Sequence, residues 1–177
     1  MRNRNRGKDI EKLTLFAYQE KYVAKVYPHI KNVCKEQRYD PAGLIAASAI
    51  ITNWGKLVPK ESNNHFLRVA QLDWPGERIE QEIVQLLGCF SFKKKVYLKK
   101  YSCIEDSFVD FMGDVHQLYE YADLFRDEPR KFLTGLRKAK VIIGSKEHAF
   151  DRWEARLHTF VLVRVQKAIK GILQKQK

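Results

Sequence analysis

From Asp40 to Gly55 the chain reads Asp-Pro-Ala-Gly-Leu-Ile-Ala-Ala-Ser-Ala-Ile-Ile-Thr-Asn-Trp-Gly. Asp40 is a candidate helix N-cap, because its carboxylate can accept from the free amides of the first turn. Pro41 follows where a missing N–H costs nothing and a fixed φ suits the helix. Leu44 to Ile51 carries no charge and no polar face. Surface helices show an apolar stripe, so a helix that is apolar all round belongs in the interior. Its small residues let neighbouring elements approach closely. Asn53-Trp54-Gly55 should end it, with Gly55 free to take a left-handed φ. The other elements must therefore pack around residues 40–53.

A chain of 177 residues suits one domain with a full core. Its 45% hydrophobic and 12% aromatic content excludes a disordered polymer. Thirty-three Lys and Arg against 21 Asp and Glu leave a net charge of +12. That excess favours an anionic partner, whether nucleic acid, an acidic membrane surface or a wall polymer, although solubility alone also accounts for it. Cys34, Cys89 and Cys103 are odd in number and form no C-x-x-C, so reduced thiols are expected. Met1 to Lys8 is basic, but Asp9, Glu11 and Lys12 interrupt any apolar signal core. No run of about 18 apolar residues is present to span a membrane. The chain as written is expected to stay in the cytoplasm unless a phage or secretion machine, or lysis, delivers it to the envelope.

Residues 1–8 are expected to form a disordered basic arm, with Arg2, Arg4 and Arg6 alternating with Asn. Ile10, Leu13, Phe16, Tyr22, Val23 and Val26 recur at helical spacings, and Tyr27-Pro28 marks a break or kink. Ile30 and Val33 carry a second helical segment to about Gln37. Gln71 to Tyr101 reads as a small β-rich lobe. Trp74-Pro75-Gly76 and Gly88 supply its turns, Glu77–Leu87 is ambiguous, and Phe90, Phe92, Val96 and Leu98 alternate as a strand would. Ser102-x-x-Glu105 is a capping box that opens a helix with Phe108, Met112, Val115, and Leu118 or Tyr119 on one face. Asp127 can cap the next helix, with Pro129 in its first turn and Phe132, Leu133 and Leu136 buried. A last helix from about Lys146 carries Trp153, Leu157, Phe160, Val161, Val165, Ile169 and Ile172, and ends basic.

Several of these stretches resemble the bacterial endo-β-N-acetylglucosaminidases of the autolysin and flagellar wall-hydrolase type. The central helix of that family reads roughly A-Q-A-x-L-E-S-x-W-G. Setting Trp54-Gly55 on its W-G places Thr52 on the Ser and Ile51 on the catalytic Glu. Asn63, Asn64 and Phe66 match the family's N-N-L-F, with His65 on the Leu. Leu98 to Cys103 resembles F-R-K-Y-D-S, and Glu105-Asp106-Ser107-Phe108 resembles E-x-S-F. Gly135 to Ala139 resembles g-L-k-x-A, after which the family's active-site tyrosine falls on Val141. The resemblance implies a mainly α, lysozyme-like α+β fold with a buried central helix and a small β-hairpin lobe, and the long C-terminal helix read from the residues outlasts the family's domain. The domain would span residues 9–157, with 158–177 a basic helical extension that offers its apolar stripe to a protein partner.

The chemistry implied is cleavage of a wall glycan. It needs a carboxylic acid that protonates the leaving oxygen and a second carboxylate about 5–10 Å away. Ile51 can supply neither. The family's second Glu precedes a Gly. Anchoring on Gly88 puts Val84 or Gln85 there, with Glu82 nearby and Glu80 and Glu77 further back. The expected function is that of a degenerate glucosaminidase, kept as a wall-glycan-binding or assembly module. Trp54, Asn63, Asn64, Phe66, Trp74 and Tyr101 would line its cleft. One alternative is an active hydrolase with a displaced acid, Glu61 or Glu82. Another is a nucleic-acid-binding module using Lys93, Lys94, Lys95, Lys99 and Lys100 with Tyr97 and Tyr101 interleaved. That lysine cluster also reads as a solvated strand edge. The five histidines have no metal-ligand spacing, so no metal is expected, and no cofactor motif is present. A lone His65 is more often structural than catalytic.

Overall fold

The structure is a computed structural model that describes residues 15–87, 90–142 and 148–176; the side chains of 83–92 and 148–156 are not described. The arm at 1–8, Ile10, Leu13, the Gly88 turn, Cys89 and the Trp153 side chain therefore lie outside it. Among the described residues six helices and one hairpin follow in order: α1 Ala17–Glu36, α2 Pro41–Thr52, β1 Arg78–Leu87, β2 Phe90–Lys99, α3 Ile104–Leu118, α4 Glu120–Leu124, α5 Pro129–Lys138 and α6 His148–Lys175.

Helix α2 is the interior helix the sequence demands. Ala42 to Ala49 are all buried, and Leu44, Ile45, Ala46 and Ala47 have no exposed surface. The Asp40 carboxylate accepts from the amides of Ala42 at 2.7 Å and Gly43 at 3.3 Å, with Pro41 in the first turn. Helices α1, α5 and α6 pack around it. At its far end Asn53, Trp54 and Gly55 all take left-handed φ, of 49°, 58° and 78°. Gly55 is required twice over, because a Cβ there would also lie 2.7 Å from the Tyr22 ring.

Helix α1 runs without interruption through Pro28, where the sequence suggested a break or kink. Pro28 removes the bond to the carbonyl of Ala24, and both residues are exposed, so solvent can take over that carbonyl. Helix α3 is capped at Cys103 without a side-chain bond, and the Ser102 hydroxyl instead donates to the Asp106 carboxylate. The expected capping box is absent because Ser102 precedes the cap by one residue. Helix α5 likewise starts from Glu128, not Asp127, because a turn from Phe125 to Glu128 leaves Asp127 one position early. Phe108, Met112 and Val115 are buried; beside them Tyr119 packs on the core, and Leu118 is exposed.

The ambiguous Glu77–Leu87 stretch is strand β1. It pairs antiparallel with β2 in the register Glu80↔Tyr97 and Glu82↔Lys95. Residues 68–70 bond along the other edge of β2, through Lys99 N to Arg68 O at 2.9 Å and Ala70 N to Tyr97 O at 2.8 Å. The expected boundary after Leu157 falls inside α6. Beyond it Val161, Leu162, Val165 and Ala168 join the main core, so this part of the stripe read as a partner surface faces inward, while Phe160 is exposed and Ile169 and Ile172 are half-buried. Arg164, 7% exposed, donates to Gln19 Oε1 at 2.7 Å and ties α6 to α1. Cys34 is buried and free, and Cys103 is exposed and free.

One buried polar cluster joins three helices. The Ser48 hydroxyl on α2 donates to the His65 carbonyl at 2.7 Å, and the Tyr22 hydroxyl on α1 lies 2.5 Å from Ser48 Oγ. With the Ser48 proton committed, Tyr22 donates to Ser48, and His65 Nδ1, 3.1 Å away, donates to Tyr22. The His65 amide donates to Ser107 Oγ on α3 at 3.0 Å. His65 is 2% exposed, and these bonds tie its ring and backbone into the core.

Two outcomes follow for stability. Ala47→Glu places a charge in the core with no partner and should cost about 3–5 kcal/mol in urea unfolding; an equally stable variant would remove α2 from the interior. Burial, then Lys25 and His29, push the His65 pKa down to about 4 from its ordinary 6.5. Between those values the unfolded chain holds a proton that the folded one does not. Stability should therefore fall as pH drops from about 6.5 towards about 4, by about 3 kcal/mol at most, then level off. Unfolding curves across that range should flatten in His65→Gln; an unchanged slope would assign the titration elsewhere.

Candidate functional site

The resemblance places the family's catalytic group on the last turn of α2. There Ile51 is partly buried and packed on the hydrophobic core. Val141 follows α5, where its amide donates to the Leu136 carbonyl at 3.0 Å, and it too packs on the core. Neither side chain can carry or accept a proton.

The loop after α2 is held by its asparagines. Asn63 Nδ2 donates to the carbonyls of Tyr101 and Ser102, each at 3.1 Å. Asn64 has no exposed surface; its Nδ2 donates to Arg68 O at 2.9 Å and Lys99 O at 2.8 Å, and its Oδ1 accepts from Arg68 N at 2.8 Å. Phe66 stacks on Phe111 with centroids 3.9 Å apart and is buried. Asn64 and Phe66 therefore build the wall behind a cleft and do not line one, whereas Trp54, Asn63 and Trp74 keep partial exposure.

Trp74 is pinned. Its Nε1 donates to Glu77 O at 3.1 Å, the Lys99 ammonium lies 4.2 Å from its ring centre, and Tyr101 meets it edge-on. Lys99 thus occupies one face of this candidate sugar platform. Below it, Asp110 of α3 gathers the lobes, accepting from Lys99 Nζ at 2.9 and 3.0 Å and from the Tyr101 hydroxyl at 2.8 Å. Arg68 Nε lies 3.5 Å from Asp110, too far for a hydrogen bond, while Arg68 pairs directly with Asp114. Burial, then Asp110, push the Tyr101 hydroxyl pKa up. The sequence reading missed this hub. Its signal was the Asp110/Asp114 pair four residues apart, which shares one helix face.

The hairpin lysines are largely neutralised. Lys93 pairs with Glu82 at 2.8 Å, Lys95 with Glu80 at 2.7 Å, Lys100 with Glu77 at 2.5 Å, and Lys99 with Asp110. Of the five, only Lys94 lacks a carboxylate partner among the described residues. Glu82 and Glu61, the candidate displaced acids, are both exposed. The hydrogen bond from Lys100 holds Glu77 below the usual carboxylate range, and that from Lys95 does the same for Glu80. Glu61, Asn63, Glu77, Lys100, Tyr101 and Ser102 line one hollow of about 380 Å³. Among the described residues no group of three His, Cys, Asp or Glu could hold a metal ion, and no helix is long and apolar enough to cross a membrane.

No protein-family model matches the chain. The peptidoglycan hydrolase FlgJ of Vibrio parahaemolyticus is 26% identical over 130 residues, which are 70% of this chain and 42% of that protein. FlgJ of Vibrio cholerae is 23% identical over 132 residues, 71% of this chain and 40% of that protein. The match thus spans well under half the length of either relative. The glycoside hydrolase domain of Salmonella typhimurium FlgJ superposes with a TM-score of 0.67 at 18% identity, over 89% of this chain and 94% of that one. A peptidoglycan hydrolase from Sphingomonas sp. A1 superposes with a TM-score of 0.63 at 16% identity, over 86% of this chain and 94% of that one. At these identities the superpositions establish the fold, and the sequence matches add the kinship. The chain is related to the glucosaminidase family of peptidoglycan hydrolases and has their lysozyme-like fold.

Proposed function

We propose that this chain is a degenerate glucosaminidase that binds peptidoglycan-type glycan, or serves as a structural module at the wall, without the family's acid catalysis. The observation that carries this reading is Ile51. It lies on the last turn of the interior helix, three residues before Trp54-Gly55, packed on the core where the resemblance places the acid. Val141 at the position of the tyrosine supports the same reading. A general acid must hold its proton near neutral pH, which burial in apolar surroundings provides. Glu77 and Glu80 are shifted the other way by their lysines. Glu82 is exposed and paired with Lys93.

A second reading, hydrolysis by a displaced acid, draws on Glu61 and Glu77 sharing the 380 Å³ hollow with Tyr101. The nucleic-acid reading loses its main support, because four of the five hairpin lysines are paired.

Native protein, Ile51→Glu and Glu61→Gln should be compared on purified peptidoglycan for co-sedimentation and released reducing ends. The native protein should co-sediment and release nothing above background. Loss of a general acid costs about 100- to 10,000-fold in rate, so background is the expected level. Release by the native protein that Glu61→Gln abolishes would replace the degenerate reading with the displaced-acid one. Release by Ile51→Glu alone would show that a single position separates this scaffold from the chemistry of its relatives.

A further inference from the structure

A second hollow shares no lining residue with the one beside Glu61 and Tyr101. It is a groove of about 820 Å³ between the start of α1 and the end of α6. Its apolar floor comes from Leu15, Ala24, Val163, Ala168 and Ile172. Gly171 opens it, because a Cβ there would meet nothing within 4 Å. Its rim carries Lys21, Arg130, Lys167, Lys170 and Lys175 against a single carboxylate, Glu20. Among the described residues Lys21, Arg130, Lys170 and Lys175 have no ion-pair partner. This contrasts with the hairpin, where the lysines are matched by glutamates.

We propose that this groove docks an acidic amphipathic helix of a partner protein. An apolar trough is what a helix fills with residues at i, i+3, i+4 and i+7. Charge complementarity selects the occupant. Four cations without an ion-pair partner among the described residues, Lys21, Arg130, Lys170 and Lys175, against one carboxylate favour a helix whose flanks carry Glu and Asp, since like charges across an interface oppose docking. A second copy of this chain, at +12, brings the wrong sign. Its own first eight residues are also basic, but Asp9 and Glu11 make residues 9–14 net acidic, so a gain in Glu-peptide binding on deletion of residues 1–14 would assign the groove to that segment. A bare polyanion would satisfy the rim but leave the apolar floor uncovered. The proposal deepens the assembly role of the module and does not depend on whether Ile51 has abolished catalysis.

The test uses the full chain and labelled 20-residue helical peptides with leucines at that spacing and either Glu or Lys on the remaining faces. Fluorescence anisotropy should give binding of the Glu peptide, at least about tenfold weaker binding of the Lys peptide, and weakening by salt. Gly171→Leu fills the groove while replacing glycine by a better helix former. It should reduce affinity about tenfold or more with an unchanged or higher melting temperature. Lys170→Glu with Lys175→Glu should weaken binding and flatten its salt dependence. Equal binding of polyglutamate or single-stranded DNA would overturn the proposal in favour of a bare polyanion. Self-association that Gly171→Leu abolishes would assign the groove to a second copy. Binding of the Glu peptide unchanged by Gly171→Leu, or no binding, would also overturn it. Reducing-end release from peptidoglycan is measured separately, so failure of the groove leaves the reading of the cleft intact.

Discussion

Ala42 to Ala49 are buried on every side of α2, and a helix in that position can carry no charge along its length. The rest of the chain is arranged to meet that condition. Three helices cover it, and alanine and Gly43 let them come close; a Cβ on Gly43 would lie 3.2 Å from Phe132 and Pro129. Polar groups are confined to its ends and to one internal hydroxyl. Asp40 satisfies the first amides, Thr52 Oγ1 bonds back to Ser48 O and accepts from Gly55 N, and Ser48 bonds to the loop. A burial this complete fixes where the helix ends, and that end is where a wall hydrolase needs its acid. In this chain the last turn offers Ile50 and Ile51, which extend the core.

The hairpin lobe depends on a second constraint. A two-stranded sheet is marginal alone in water. Here it is anchored by Asn64 bonding to both Arg68 and Lys99, by residues 68–70 along β2, and by Asp110 reaching up from α3. The same contacts that hold the lobe consume side chains that would otherwise face a ligand. Lys99 is committed to Asp110 and Trp74, and Tyr101 to Asp110. What is left near the junction is the hollow shared by Glu61, Asn63, Glu77 and Lys100.

Much of this was legible in the sequence where the signal is local. The Asp-Pro opening, the uncharged run and Trp-Gly defined α2, and the alternation at Val96 and Leu98 marked β2. The N-N-x-F signal was read as cleft lining, whereas Asn64 and Phe66 are buried; that depends on Lys99 for Asn64 and, for Phe66, on Phe111, 45 positions away by the numbering. Capping was misread by one residue at both α3 and α5, because a cap is decided by the turn that precedes it and not by residue type alone. Pro28 was read as a break or kink, and the helix continues through it; sequence does not reveal which face meets solvent. The lysine run looked like a patch because its partners, Glu80 and Glu82 on the opposite strand, Glu77 just before it and Asp110 on α3, are brought to it only by tertiary structure. The Asp110 hub was missed for the same reason.

The central claim is that the lysozyme-like cleft binds glycan without cutting it. An NMR titration of the native protein with a soluble peptidoglycan fragment reads both halves in one sample. The account predicts saturable shifts of the Trp54 and Trp74 indole signals together with sugar anomeric signals that stay constant over days. New reducing-end anomeric signals, or unperturbed Trp54 and Trp74 at saturating glycan, would contradict it.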